Sequence, residues 1–229
     1  MTKKAIFFDL DHTLWDYERN AAEALVELYD FYELNNLGIP TPQTFVDAFG
    51  VANTEVWDLY DQNLITQTEL RFRRFRQVFD QLGVSDHSLC DELNDEYLRI
   101  SPLKPHLMSG AIETLDYLLP KYDLHLITNG FVEIQGQKLT SSKIDHYFKE
   151  MFTSQRAGAK KPDPRIFEYV LDYLHLQKND VVMIGDNAQT DIKGANLVGI
   201  DTVYYNPEGL LCPQATFSIC SLLTLKDLF

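Results

Sequence analysis

Long apolar runs are missing from this sequence. No stretch of its 229 residues approaches the roughly 20 apolar residues that a membrane-spanning helix needs, so none is expected. The opening MTKKAIFFDLD has two lysines and a short apolar run that ends in acids, which is not the pattern of a secretory leader. Cysteine is scarce as well. Cys90, Cys212 and Cys220 show neither the spacing of a zinc site nor an even disulfide framework, and free thiols in a reducing cytoplasm are expected. Positive charge is the third shortage. Twenty Lys and Arg stand against 34 Asp and Glu, for a net charge of −14. Such a surface repels nucleic-acid polymers and anionic membranes, so neither is an expected partner. An anionic small molecule can bind only where local positive charge overrides that field.

What is present is ordinary globular composition, with 45% apolar and 24% charged residues. Lys4–Phe8 has the character of a strand. Ala21, Leu25, Leu28, Tyr29 and Tyr32 then recur at helical spacing up to about Gly38. A second helix is predicted after Thr41-Pro42, with Phe45, Phe49, Ala52, Val56, Leu59 and Tyr60 as its stripe. A third opens on the capping-box pattern Thr66-Gln67-Thr68-Glu69 and carries Phe72, Phe75, Phe79 and Leu82; a fourth covers about Ser88 to Arg99. Ser101-Pro102-Leu103-Lys104-Pro105 has the composition of a linker. Beyond it, helices alternate with short β-rich runs at Asp123–Thr128, Met151–Ser154, Val181–Ile184 and Thr202–Tyr205. That alternation predicts an α/β fold: a Rossmann-like parallel-sheet core of residues 1–15 plus 103–229, interrupted by an all-helical insert at 16–102.

Parallel sheets gather function at the carboxyl ends of their strands. The first strand runs into Asp9 and Asp11, then Thr13. Two ionised carboxylates at about 4 Å and an effective dielectric near 20 repel by roughly 4 kcal/mol. A shared proton, a basic side chain or a metal ion has to offset that. The next strand ends at Thr128-Asn129-Gly130, and another at Gly185-Asp186-Asn187, with Asp191 five residues after Asp186. Lys160-Lys161-Pro162-Asp163-Pro164 precedes a helix. Taken singly, each has a plain reading as a turn, a solvated loop or a helix start. All four fall in order on strand ends or the loops beside them, which is harder to assign to coincidence.

With these residues in view, the sequence resembles the haloacid dehalogenase superfamily of phosphatases, through DLDHT (9–13), ITNG (127–130), KKPDP (160–164) and GDNAQTD (185–191). The resemblance covers the core, and the insert is similar to the family's helical cap. It implies a phosphomonoester hydrolase that works through an aspartyl-phosphate. Asp9 would be the nucleophile, and Asp11 would protonate the leaving oxygen and then activate water. Mg2+ would bind the Asp9 carboxylate, the Asp11 main-chain carbonyl and Asp186. Thr128 and the Asn129 amide would hold phosphoryl oxygens. Lys161, favoured over Lys160 because it directly precedes the proline, would neutralise the transferring group, with Asp191 orienting Lys161 or a metal water. On this reading the ion and the lysine are what make the adjacent carboxylates tolerable.

Finer features point to one branch. LWD (14–16), VWDLYDQNLIT (56–66) and LITNGF (126–131) followed by Gln135 resemble the pyrimidine 5′-nucleotidases, which implies a nucleoside 5′-monophosphate as substrate. A phosphatase of another small metabolite, such as phosphoglycolate or a sugar phosphate, is the alternative. A member without turnover, binding phosphate only, is the alternative from another class. The insert holds the sequence's basic cluster, Arg71-Phe72-Arg73-Arg74-Phe75-Arg76; an arginine there could meet substrate oxygens on cap closure, and the plainer reading taken here is a solvated helix face.

Overall fold

The computed structural model describes residues 3–229. The chain divides into two compact units: the segment up to Tyr17 together with Pro105–Phe229, and Glu18–Lys104.

The discontinuous unit is built on six parallel strands: β1 (Ala5–Phe8), β2 (Asp123–Thr128), β3 (Glu150–Thr153), β4 (Val181–Gly185), β5 (Asp201–Tyr205) and β6 (Phe217–Ile219). They lie in the order β3-β2-β1-β4-β5-β6, so β1 sits between β2 and β4. Alternate residues of β1 go to opposite faces. Ile6 and Phe8 join Leu124, Leu126, Val182 and Ile184 under Ala111, Leu115 and Leu118. Ala5 and Phe7 join Ile127, Met183 and Phe152 under Ile166, Phe167 and Val170. Both faces are covered, which is why β1 and β4 read as unbroken apolar runs rather than alternating ones. The strand order reverses at β1, and in an open α/β sheet the crevice beyond such a reversal is where ligands bind.

The helical unit contains most of α1 (Tyr17–Phe31) and all of α2 (Pro42–Asp61), α3 (Gln67–Gln81) and α4 (Cys90–Ile100). Thr41 caps α2 by accepting from the Thr44 N–H, with Pro42 in the first turn. Thr66 and Glu69 form the capping box that opens α3. The core is aromatic: Phe75 lies 6.0 Å from Phe45 and 5.4 Å from Phe49, and Phe49 lies 4.8 Å from Tyr97, ring centroid to centroid. Two expectations need correction here. The basic run of α3 is not wholly a solvated face, because Arg74 is 2% exposed and lies over the Phe49 and Tyr97 rings. Phe72, expected inside, is 53% exposed and packs instead under the Arg76 guanidinium at 3.6 Å. The presumed linker also differs: Ser101 and Pro102 are buried in a short 3-10 turn, Ser101–Leu103, that continues α4. A proline is tolerated in a first turn, where its missing N–H is not needed.

The discontinuous unit is completed by α5 (Ala111–Leu118), α6 (Val132–Ser141), α7 (Ser154–Ala157), α8 (Pro164–Leu174), α9 (Lys193–Val198) and α10 (Leu225–Leu228). A wide π-type turn, Ala188–Ile192, precedes α9. Asn187 caps it by accepting from the Gln189 and Thr190 N–H groups, and the turn carries Asp191 fully inside. Turns of this kind recur at functional sites.

Candidate active site

Asp9 is the first residue beyond β1. Its N–H still donates to the Ile184 carbonyl at 2.9 Å, so the ladder with β4 fixes its backbone. Lys161 enters from the segment before α8 and is 2% exposed. Its Nζ donates to Asp9 Oδ1 at 2.5 Å, Asp191 Oδ1 at 2.6 Å and the Ile127 carbonyl at 2.8 Å. An ammonium has three donors, and all three are used. Burial opposes its charge, yet the Asp191 and Asp9 carboxylates outweigh burial and raise its pKa above the ordinary lysine value. Lys161, not Lys160, is therefore the lysine paired with Asp9.

The segment that carries Lys161 is clamped to the end of β2. The Lys161 N–H donates to Asn129 Oδ1 at 2.8 Å, and Asn129 Nδ2 donates back to the Lys161 carbonyl at 2.9 Å. The Asn129 side chain is thus committed to positioning the lysine. Thr128 Oγ1 accepts from the Gly130 N–H at 3.0 Å and from Gln135 Nε2 at 2.8 Å. A hydroxyl has two lone pairs and one proton. With both lone pairs occupied, what Thr128 can still offer is its O–H, the right group for an anionic oxygen.

Asp11 has a lysine of its own. Lys138 Nζ, on α6, donates to Asp11 Oδ1 at 2.5 Å, and Gln135 Nε2 donates to Oδ2 at 3.0 Å. Burial pushes the Asp11 carboxyl up, but Lys138 and Gln135 together hold it below the usual carboxylate range. The two adjacent acids are made tolerable by two different lysines, not by one shared cation alone. Lys138 was not foreseen, since lysines are rarely buried. The available signal was its place three residues after Gln135, on the same helix face.

Asp186 follows β4 and accepts from Thr13 Oγ1 at 2.9 Å. Burial, with the Asp9 charge added, pushes its pKa up to about 6. Burial likewise pushes Asp9 up to about 7, against the pull of Lys161. Burial raises Asp191 too. Asp9, Asp186 and Asp191 each place a carboxylate oxygen within 4.8 Å of the others. Three crowded carboxylates against one ammonium leave the cluster short of positive charge. An all-oxygen set of that kind fits a hard divalent cation such as Mg2+. Asp191 is engaged at both oxygens, by Lys161 and by the Asn187 N–H at 3.0 Å, so Asp9 and Asp186 are the better-placed ligands.

Two glycines make room for this packing. A Cβ at Gly185 would lie 2.2 Å from Asp191 Oδ2, and one at Gly130 would lie 2.5 Å from the Gln135 side-chain amide.

The family model for haloacid dehalogenase-like hydrolases matches residues 3–199, a span that contains every residue of this cluster. The chain belongs to the haloacid dehalogenase-like hydrolases. It is 33% identical over 233 aligned positions to the pyrimidine 5′-nucleotidase PynA of Streptococcus pneumoniae, covering 99% of this chain and 95% of that one. It is 28% identical to the pyrimidine 5′-nucleotidase YjjG of Escherichia coli, covering 97% and 96%. The crystal structure of the HAD-hydrolase YfnB of Bacillus subtilis, bound to magnesium, is similar with a TM-score of 0.89 and 27% identity, over 100% of this chain and 99% of that one. A haloacid dehalogenase-like hydrolase with these relatives is a phosphatase. Among the described residues no helix is long and apolar enough to cross a membrane.

Proposed function

We propose that this hydrolase is a Mg2+-dependent nucleoside 5′-monophosphate phosphatase with a preference for pyrimidine bases, the sheet-bearing unit being its catalytic core and the helical unit its cap. The observation that carries the reading is the buried contact of Lys161 with Asp9 and Asp191, which joins three distant segments around one carboxylate. The pyrimidine nucleotidases named above match nearly the whole chain, the helical unit included, which supports the choice of substrate.

In the first step an Asp9 carboxylate oxygen bonds to phosphorus as the bond from phosphorus to the ester oxygen breaks. Lys138 and Gln135 favour Asp11 as the carboxylate, so the acid in this step is its minor protonated form, which gives its proton to the departing oxygen. In the second step Asp11 takes a proton from water, the water oxygen bonds to phosphorus, and the bond to Asp9 breaks to release phosphate. Lys161 and the Thr128 O–H balance charge on the phosphoryl oxygens. Asp9, Asp186 and the Asp11 main-chain carbonyl would hold Mg2+, which supplies positive charge beside the nucleophile and the phosphoryl group. Asp191 orients Lys161.

Phosphate release from deoxyuridine and thymidine monophosphates, compared with phosphoglycolate and sugar phosphates in the presence of Mg2+, tests the substrate. Turnover of the nucleotides is expected. Inert nucleotides beside a good sugar-phosphate substrate would place the enzyme elsewhere in the family. Silence on every phosphoester would favour a binding protein. Asp9→Asn is expected to abolish turnover; a fully active variant would remove Asp9 as the nucleophile.

A further inference from the structure

We propose that Lys138 and Gln135 form a clasp on α6 that sets the position of the Asp11 carboxylate, and so act as positioning residues for the proton transfers assigned to it. The inference rests on the reading of Asp11 as acid and base given above. It goes further in assigning work to two residues outside the four motifs.

The clasp takes Asp11 by both oxygens, Lys138 on Oδ1 at 2.5 Å and Gln135 on Oδ2 at 3.0 Å. A carboxylate held at both oxygens has lost rotation about its last torsion, the freedom that would misdirect a proton; the same two donors favour the ionised form, so the clasp gives up acid strength for a fixed direction of transfer. The holders are themselves fixed. Lys138 is 5% exposed, and its Nζ lies 4.3 Å from the centre of the fully buried Trp15 ring and 5.7 Å from that of Tyr17. An ammonium over an aromatic face is attracted to it, so Trp15 serves as a backstop. Trp15 is in turn tied to the catalytic loop by its carbonyl, which accepts from the His12 N–H at 2.9 Å.

Gln135 is fully buried, and its Nε2 bridges Asp11 Oδ2 and Thr128 Oγ1. Its Oε1 is buried without a hydrogen-bond partner. An unpaired buried amide oxygen is costly. The opposite amide orientation would point an oxygen at the Asp11 carboxylate, so the two bonds made by the nitrogen decide the matter. The group that orients Thr128 toward an anion is thus the same group that orients Asp11. Gly130 completes the arrangement by leaving space for the Gln135 amide.

A positioning role predicts a loss that depends on the leaving group. An alkoxide such as the 5′ oxygen of deoxyuridine monophosphate needs a proton to depart, whereas p-nitrophenolate does not. Single-turnover phosphoryl transfer is measured for both esters with Mg2+-loaded enzyme. For Lys138→Met, transfer from the nucleotide is expected to slow about 10-fold or more, with release of p-nitrophenolate kept within about 3-fold; Gln135→Met, which also releases Thr128, is expected to slow both esters, the nucleotide about 10-fold more than the other. Lys138→Arg, which keeps the charge and a donor, is expected to recover most of the nucleotide rate. Equal slowing of both esters would mean that the pair merely supports the fold, unchanged rates that it does nothing, and faster transfer from the nucleotide that it only holds Asp11 ionised; any of these results overturns the proposal. Should Lys138→Met not fold, Gln135→Met and Lys138→Arg decide alone. Asp11→Asn separates the two levels. If it transfers the nucleotide phosphoryl group at the wild-type rate, the assignment of Asp11 has failed. If it shows the leaving-group-dependent loss while the α6 variants do not, only the clasp has failed. Should the nucleotide be inert, whichever alkyl phosphate turns over takes its place in the comparison.

Discussion

With three acceptors on its three donors and 2% of its surface exposed, Lys161 is committed to its charge. Removing it strands two buried carboxylates. Lys161→Met is expected to destabilise the fold by about 3–5 kcal/mol, read by urea unfolding at pH 7. It is also expected to cost about 100-fold or more in turnover. Lys160→Ala is expected to stay within about 0.5 kcal/mol and about 2-fold in rate. The reverse pattern would exchange the two lysines and break the assignment of the third motif. His125 makes a second claim at this scale. It stands on β2, 2% exposed, with Phe7 edge-on at 6.0 Å, Phe152 at 6.2 Å and no partner on Nδ1. Burial pulls its pKa from 6.5 down to about 4, although Asp123 and Glu150 oppose this. The folded protein therefore refuses a proton that the unfolded chain accepts. The stability that His125 contributes is complete above pH 6.5 and is lost as pH falls toward 4. The loss amounts to at most about 3 kcal/mol, from 1.36 kcal/mol per unit. His125→Phe should flatten the stability curve across that window. A variant with the wild-type slope would show that other groups cause it.

At the scale of elements, what could be read from the chain was what is locally encoded. The Thr66–Glu69 box opens α3 because a side chain and a backbone N–H three residues apart satisfy each other: the Thr66 N–H donates to Glu69 Oε2 at 2.8 Å and the Glu69 N–H to Thr66 Oγ1 at 3.2 Å. Thr66→Ala should cost about 1 kcal/mol in urea unfolding, and no measurable loss would mean that the box is ornamental. β2 and α8 likewise begin and end where turn and cap residues put them, Asp123–Thr128 and Pro164–Leu174. The inner face of α3 was harder to read. Leu70, Arg74 and Val78 form an inward row at spacing four, beside Phe75 and Phe79. An arginine enters such a row only because Phe49 and Tyr97, from other helices, offer their rings to it. Lys138 on α6 has the same history, with Asp11 and Trp15 as its distant partners. Tertiary partners of this kind do not show in the apolar periodicity of their own helix, so the four motifs could be read while the clasp left only the three-residue spacing of Gln135 and Lys138.

At the scale of the whole molecule, a net charge of −14 favours the association of cations in general, and the cluster of Asp9, Asp186 and Asp191 concentrates that tendency at one point. The strand order brings the cluster together: β1 lies between β2 and β4, so Asp9 meets Asp186 across one ladder and Thr128 across the other side of β1. Nothing in the hydrophobic pattern specifies that order; it follows only from the motifs having to converge. If they converge on a cation, binding must appear as stability even without substrate. A ligand that binds the folded state alone contributes RT ln(1 + [L]/Kd), about 2.7 kcal/mol at 100 times Kd. Magnesium chloride should therefore raise the urea midpoint, and a chelator should remove the gain. General screening of an acidic surface would give part of the same response, so sodium chloride at matched ionic strength sets the baseline. Asp186→Asn keeps an acceptor for Thr13 but removes a ligand charge, and should lose the increment specific to magnesium. Asp172→Asn, an exposed acid on α8, should keep it. An increment that survives Asp186→Asn, or one that sodium reproduces in full, would mean that these carboxylates hold no divalent ion.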